Sequence, residues 1–294
     1  MATILVVAAW SLFGLEVAIW AVDSGLLGFV VSPAVSPDWV MRAYRAIPAE
    51  RIGFDDGAAL VARLAERAGL ARIPRLYVLP SSLLNAFAVG SQHQAAVVAT
   101  AALVRTLDWR ELAGVLAHEI SHVRNDDLWL MGLADTMSRL TSLLATIGLF
   151  LAVVSLPLLF LGLAPVPPLA LLVLIFAPTL GSLLQLALSR AREYDADLEA
   201  ATLTRDPAGL ASALAKLDRY QGRYWEEILL PGRRIPEPSL LRTHPPTAER
   251  VRRLLSLLGE VPSPSALAAQ PALPPRFAAP PPEPPRYRWP GVWY

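Results

Sequence analysis

Two long apolar runs in the second half of the chain limit its possible folds more than any other feature. They cover residues 140–163 and 169–188, and only an uncharged, proline-containing turn at 164–168 separates them. Each run has the roughly 20 residues that a helix needs to cross a bilayer. A buried helical hairpin in a soluble protein is the alternative, but the total apolar length favours a transmembrane hairpin.

The composition agrees with a membrane protein and excludes several other classes. Hydrophobic residues make up 54% of the 294 residues and charged residues only 17%, which is unusual for a soluble protein. The formal net charge is +1 and there is no basic cluster, so we expect no nucleic-acid partner. Cysteine is absent, so a bound transition metal would need histidine or carboxylate ligands.

A further apolar stretch opens the chain. Residues 1–22 carry one charge, that of Glu16, and are long enough for one bilayer crossing. They lack the positive region and the small-residue cleavage site of a signal peptide. A buried core helix remains the alternative, because a carboxyl group in hydrocarbon is costly.

The region between these apolar segments, residues 38–125, has the composition of a soluble domain. Gly90 and Ser91 predict a turn between two of its strands. The spacing of apolar residues predicts a helix over 55–70 and strands over 75–79, 85–89 and 95–99.

The next predicted helix carries the chemistry. Asp108 and Glu111 form a capping box, which predicts a helix that begins there and continues through His122. Within it, the sequence His-Glu-Ile-Ser-His places His118 and His122 on one helical face, where both imidazoles can bind one metal ion. Glu119 lies beside them and can act as a general base in a metal-dependent hydrolase.

The third metal ligand is left open by the residues alone. Two of the four histidines fall in this five-residue window, which favours a metal site over chance. A catalytic zinc ion usually takes three protein ligands and a water molecule. The candidates for the third are His93, His244 and a carboxylate.

Glu193 and Asp197 form the candidate carboxylate pair, because they are four residues apart on a helical segment. Glu193 could bind the metal while Asp197 hydrogen-bonds a ligand histidine. A solvated helix face, on which Arg190 and Arg192 pair locally, explains the spacing equally well.

Four segments in this order resemble the HtpX family of membrane metalloproteases, which are relatives of the CAAX prenyl endopeptidases. The resemblance covers residues 47–258 and includes the apolar hairpin between two metal-binding helices. It implies a mainly α fold with a small β-sheet, that of an integral-membrane zincin-type metallopeptidase with the transmembrane hairpin inserted between the zinc-ligand helices. The matching segments are Asn-Ala-Phe-Ala at 85–88, His-Glu-Ile-Ser-His at 118–122, residues 189–197, and Thr-His-Pro-Pro-Thr at 243–247 followed by Arg250.

The resemblance assigns the metal ligands and the base. It implies that His118, His122 and Glu193 bind one Zn²⁺ ion per chain. Glu119 would then be the catalytic base, and Asp197 would orient a ligand histidine.

The resemblance also implies roles for three residues around the metal. Asn85 would lie on the strand that pairs with an extended substrate backbone. His244 would support the oxyanion or occupy the open metal position at rest, and Arg250 would anchor the site nearby. A loop histidine and a salt-bridged helix arginine are the alternatives for His244 and Arg250.

The expected organisation departs from the family in one respect. HtpX-type proteins usually begin with two crossings, whereas this chain has one clear N-terminal crossing. The predicted regions are a transmembrane segment at 1–37, a first catalytic part at 38–136, the hairpin at 137–188, a second catalytic part at 189–260 and a proline-rich disordered tail at 261–294.

The metal site constrains the membrane topology. Because the histidines must meet Glu193 at one metal, the chain between them crosses the bilayer an even number of times. The positive-inside rule then places the catalytic domain in the cytoplasm, in a multi-pass protein of the inner or plasma membrane. The arginines that decide the orientation flank the catalytic side and are absent from the 164–168 turn: Arg42, Arg45, Arg51, Arg139, Arg190 and Arg192.

The expected function is zinc-dependent endoproteolysis of unfolded or damaged membrane-associated proteins, an HtpX-like quality control at the lipid bilayer. A prenyl-protein endopeptidase would need more crossings. A latent or chaperone-like peptide-binding protein is the alternative. A chaperone that does not cut predicts a damaged site, whereas the ligand positions and the base that the resemblance implies are intact here. A structural zinc site usually closes with four ligands and leaves no open position for water.

Overall fold

The structure, a computed structural model, describes residues 37–154, 156–157, 161, 168–228, 246–258, 287–288 and 292–293. The predicted N-terminal crossing, most of the 164–168 turn and most of the proline-rich tail lie outside the described residues. His244 lies outside them as well.

The described residues form a mostly helical fold with a small mixed sheet, as expected. A short 3-10 helix, Ala49–Ile52, follows the first strand. In chain order the elements are α1 (Pro37–Tyr44), β1 (Ile47–Pro48), α2 (Asp55–Arg67), β2 (Arg75–Leu79), β3 (Ala86–Ser91), β4 (Gln94–Thr100), α3 (Ala101–Thr106), α4 (Trp109–Arg124), α5 (Asp127–Val154), α6 (Pro168–Thr204), α7 (Pro207–Ile228), α8 (Thr247–Ser256), β5 (Tyr287–Arg288) and β6 (Val292–Trp293).

Strands β1 to β4 form one sheet in the order β1-β2-β4-β3. The central pair, β2 and β4, is parallel, and the two outer pairs are antiparallel. Residues 95–99 of strand β4 are all apolar and 96–99 are buried, as expected for a strand covered on both faces. Strand β3 is therefore an edge strand among the described elements.

The predicted turn at Gly90 and Ser91 is wrong by two residues. Strand β3 continues through Ser91, which pairs with Gln94, so the turn consists of Gln92 and His93. Gly90 has a φ of +105°, and a Cβ atom there would lie 2.0 Å from the carbonyl oxygen of Gln94. Glycine is required for this close approach and not for the chain reversal.

Helix α5 contains residues 140–154 of the first apolar run, and helix α6 contains the second run. Helix α5 is the one helix in the described part of the chain that is long and apolar enough to cross a membrane. Its outward side chains include Leu143 and Phe150, which are 58% and 65% exposed. One such helix is weak support for a transmembrane hairpin, since length and composition alone do not separate it from a core helix.

The chain forms two compact units. One comprises the described residues within 129–189, where Ser138 on α5 donates a 2.7 Å hydrogen bond to Gln185 on α6. The other comprises residues 35–128 and 190–294 and contains the four-stranded sheet. The core of this second unit is built on large side chains such as Leu76, Val97 and Ile120, which are almost fully buried.

Helix α4 begins at the predicted capping box. The Asp108 side chain accepts a 2.9 Å hydrogen bond from the Glu111 amide, and the Glu111 carboxylate accepts one of 2.9 Å from the Asp108 amide. Glu111 also accepts hydrogen bonds from Ser212 at 2.6 Å and Lys216 at 2.7 Å, both on α7. One buried carboxylate therefore caps α4 and joins it to α7.

Helices α4 and α7 touch closely next to this cluster. A Cβ atom on Gly114 would lie 2.9 Å from the Cα of Leu210. The backbones can approach because Gly114 has no side chain, and this contact fixes the face of α4 that α7 covers.

We expect Lys216→Met to destabilise the protein strongly, because it leaves the Glu111 carboxylate buried without its cation. Breaking a buried pair costs about 3–5 kcal/mol, which lowers Tm by roughly 10 °C in a domain of this size. Thermal unfolding of the detergent-solubilised protein measures the change. Arg75→Met is the control, since Arg75 and Glu50 form an exposed pair at 3.5 Å. An equal fall in Tm for both variants would contradict the prediction.

Candidate metal centre

Two histidines on α4 point at the same place. His118 and His122 lie one turn apart, and their Nε2 atoms are 3.2 Å from each other. His118 is buried and His122 nearly so, with a side chain 13% exposed. The helix predicted from the capping box therefore brings both imidazoles together as expected.

Glu193 on α6 completes the group. Its Oε2 atom lies 3.5 Å from Nε2 of His118, and its Oε1 atom lies 3.6 Å from Nε2 of His122. In the described part of the chain these are the three residues that could hold a metal ion together. His93 is exposed in the turn between β3 and β4 and does not join them.

The separations of these donors fit a zinc ion. Nitrogen and oxygen ligands at 2.0–2.2 Å from one tetrahedral ion lie roughly 3.3–3.6 Å from each other. The donor atoms of His118, His122 and Glu193 are separated by 3.2 to 3.6 Å. Two imidazoles and one carboxylate are also a ligand set that leaves a position open on a four-coordinate ion.

The charges around His118 favour a cation at this place. Burial lowers the pKa of His118, but polar contacts with the carboxylates of Asp197 and Glu193 outweigh burial and raise the pKa to about 10. The Nδ1 atom of His118 lies 3.2 Å from Oδ1 of Asp197, at ion-pair distance. Carboxylates that raise the pKa of a buried histidine create a negative potential, and this potential favours a bound metal ion.

Arg250 on α8 holds both acids of α6. Its Nε atom donates to Oδ2 of Asp197 at 2.7 Å and its Nη2 atom to Oδ1 at 2.6 Å. Its Nη1 atom lies 3.2 Å from Oε2 of Glu193. Burial raises the pKa of Asp197, but the hydrogen bonds from Arg250 and the contact with His118 outweigh it and lower the pKa.

The interpretation of residues 189–197 as a solvated helix face is wrong for these two acids. Glu193 and Asp197 are 6% and 4% exposed, and Arg250 is 6% exposed. Arg192 does pair locally with Asp195 at 3.9 Å, but its closer partner is Asp127. The i,i+4 spacing here directs both acids into the protein interior.

Asp127, at the start of α5, is a site residue that the sequence did not predict. It is 2% exposed, and its Oδ2 atom lies 2.9 Å from Nδ1 of His122. Arg192 donates from Nε to the other carboxylate oxygen and from Nη2 to the carbonyl of Asn125 at 3.2 Å. Asp127 therefore fixes which nitrogen of His122 faces the metal position.

The chain reversal after α4 explains why Asp127 was missed. Helix α4 ends at Arg124, and Asp126 adopts a left-handed conformation with a φ of +51°. This turn brings a carboxylate five positions after His122 back onto its ring, a spacing that helical periodicity does not predict. The available signal was the acidic pair directly after the helix end.

Glu199 joins α4 to the part of α6 that carries the site. It accepts hydrogen bonds from the hydroxyl of Ser121 at 2.7 Å and from the side chain of Asn125 at 2.8 Å, and it pairs with Arg124. These contacts hold the two helices together beside the donor group.

A cavity of about 290 Å³ adjoins the donor group. Glu119 lines it together with His118. Asn85 lies on its wall but directly precedes β3 instead of lying within it, and its backbone exchanges hydrogen bonds with Thr100. The remaining described lining residues are Leu84, Ala86, Val115, Leu210, Leu214, Leu217, Asp218, Pro246, Thr247 and Arg250.

The comparisons with known proteins agree with this geometry. Residues 55–258 match the model of Peptidase family M48. The chain is 38% identical to "Protease HtpX homolog" of Acidiphilium cryptum over 244 residues. This matched segment covers 77% of this chain and 82% of the relative. The chain is 36% identical over 245 residues to the protein of the same name in Methylibium petroleiphilum, covering 76% and 82%.

A third "Protease HtpX homolog", from Polynucleobacter necessarius, is 38% identical over 219 residues, which is 69% of this chain and 74% of the relative. No solved structure matches the chain. The matched family segment contains every residue of the donor group together with Glu119. The chain, which is similar in sequence to the HtpX homologues, therefore belongs to peptidase family M48 and is a metallopeptidase.

Proposed function

We propose that the chain is a zinc-dependent endopeptidase that cleaves unfolded or damaged proteins at a membrane, in an HtpX-like quality control. The convergence of His118, His122 and Glu193 at tetrahedral donor spacing, with Glu119 on the wall of the adjoining cavity, carries this proposal. Membership of a peptidase family supports hydrolysis of a peptide bond.

The residues divide the chemistry between them. When zinc is bound, it supplies a Lewis acid that lowers the pKa of its water to about 7. The Glu119 carboxylate takes the proton of the attacking water and later donates it to the leaving amine. Asp197 and Asp127 hold the rings of His118 and His122 so that both Nε2 atoms face the metal position.

The substrate side of the proposal rests on strand β3. It is an edge strand of the sheet that the described residues form, and Asn85, directly before it, lies on the wall of the cavity. An extended peptide that adds to a sheet edge gains main-chain hydrogen bonds whatever its sequence. Unfolded segments offer such a backbone, whereas folded proteins already use theirs. His244 is proposed to support the oxyanion from the segment before α8.

The proposed location is the inner or plasma membrane, with several crossings and the catalytic unit in the cytoplasm. Helix α5 is apolar and long enough to cross, and its exposed face carries large apolar side chains. The arginines near the ends of the apolar runs lie on the catalytic side, and the 164–168 turn has none.

Glu119→Gln tests the base. We expect proteolysis of unfolded casein by the zinc-loaded, detergent-purified chain to fall by about 10²–10⁴-fold, with zinc content unchanged because Glu119 is not a ligand. Glu66→Gln, an exposed acid on α2, is the control. If zinc is retained and neither the unsubstituted chain nor the variants cut casein, the result contradicts the endopeptidase proposal and supports a latent or chaperone-like protein.

Asp127→Asn tests the support of His122. The amide cannot hold the imidazole as the carboxylate does, so we expect the affinity for zinc to fall by about 10–100-fold. Competition with a chromophoric chelator measures this affinity independently of activity. Asp195→Asn is the matched control, since Asp195 lies near the site with a side chain 64% exposed. Equal zinc affinity in the two variants would contradict the assignment of Asp127 as the residue that supports His122.

Cysteine labelling tests the orientation, because the natural chain has no cysteine. We expect Ala164→Cys, in the predicted outer turn, to react with a membrane-impermeant maleimide in intact cells. We expect Ala71→Cys, at an exposed position of the catalytic unit, to react only after lysis. The reverse pattern would place the catalytic unit outside.

A further inference from the structure

We propose that the cavity beside Glu119 is a specificity subsite that takes an apolar side chain next to the scissile bond and rejects an acidic one. This inference rests on the proposed peptidase function and names the sequence that the same site prefers. Leu214, Leu217 and Asp218 on α7 are the residues that set the preference.

The apolar wall comes from two helices that cross next to the site. Gly114 on α4 and Leu210 on α7 mark their close contact, and Val115 and Leu210 line the cavity beside it. Leu214 and Leu217 continue this wall along the same face of α7. Their spacing of four and three residues puts successive turns of α7 against the cavity.

The volume suits one side chain. At about 290 Å³ the cavity is slightly smaller than pockets that bind drug-sized molecules, which measure roughly 300–1,000 Å³. It therefore has room for a leucine or phenylalanine side chain and none for a folded segment. Burial of such a side chain against leucine walls stabilises the bound substrate through the apolar area removed from water.

The position of the cavity links it to the scissile bond. Glu119 and His118 line it from one side, and Asn85 and Ala86, where β3 begins, line it from another. A peptide extended along β3 with its scissile bond at Glu119 points alternate side chains to opposite faces. One of the two residues that flank the cut is thereby directed into the cavity.

The charges in the cavity act against acidic substrates. Two acidic residues, Asp218 and Glu119, line it. Arg250 lines it too, but its guanidinium already forms a bidentate pair with Asp197 and contacts Glu193. A glutamate side chain entering the cavity would lose hydration and meet negative charge, which favours uncharged side chains by repulsion.

The test uses quenched-fluorescent peptides derived from a cut mapped in unfolded casein. In each peptide one residue flanking the cut is alanine, leucine, phenylalanine or glutamate. For one flanking position we expect kcat/KM of the zinc-loaded chain to be at least about tenfold higher for leucine than for alanine, and lowest for glutamate.

Three variants locate this preference in the cavity. Leu217→Trp fills the cavity and should reduce the leucine-to-alanine ratio by about tenfold, whereas Leu214→Ala enlarges it and should favour phenylalanine over leucine. Asp218→Asn should raise the ratio of glutamate to leucine. Leu257→Trp, at a position 51% exposed and outside the cavity, should leave all ratios as they are. Zinc content and Tm show that each variant is folded.

The outcomes separate the two proposals. The subsite proposal is wrong if the unsubstituted chain cuts with zinc but treats leucine and alanine alike. It is also wrong if folded, active Leu217→Trp and Leu214→Ala variants keep the original ratios. In both cases the endopeptidase proposal is unaffected. If the zinc-loaded chain cuts no peptide and no casein, the proposed endopeptidase function is wrong, and the subsite proposal, which rests on it, is wrong as well.

Discussion

The bidentate pair between Arg250 and Asp197 is the interaction on which the metal centre depends. Three buried acids surround the buried His118 and the nearly buried His122 of α4, and charges without partners in a protein interior are very costly. Arg250 compensates two of these acids at once, since it reaches Asp197 and Glu193 from a third helix. Helices α4, α6 and α8 therefore form the site together, and none of them could hold it alone.

The two histidines are supported in the same way from different directions. His118 is backed by Asp197, which Arg250 holds, and His122 is backed by Asp127, which Arg192 holds. In both cases the histidine, the carboxylate and the arginine come from separate elements or turns. The orientation of each ring is thus determined by tertiary structure, while the helix α4 determines only that the two rings are neighbours.

This division explains which parts of the site the sequence predicted. The capping box at Asp108 and Glu111 and the helix that carries the histidines follow from spacing within one helix. Spacing made the acid pair on α6 only a candidate, and the family resemblance assigned it. Asp127 was missed because a left-handed turn at Asp126 brings it back, and the turn after β3 was misplaced because Gly90 serves a close strand contact. Glu111 both caps α4 and pairs with α7. This second role cannot be predicted from the sequence, because it depends on how the two helices pack.

Lysine occurs once in this chain, and the structure places that residue, Lys216, beside Glu111 between two helices. At 8% exposure its amine is held away from solvent, and every other basic side chain apart from histidine is an arginine, which amine reagents do not modify. The protein consequently carries a chemical marker of its own unfolding: Lys216 is shielded from an amine-directed acylating reagent in the folded chain and becomes reactive when α4 and α7 separate.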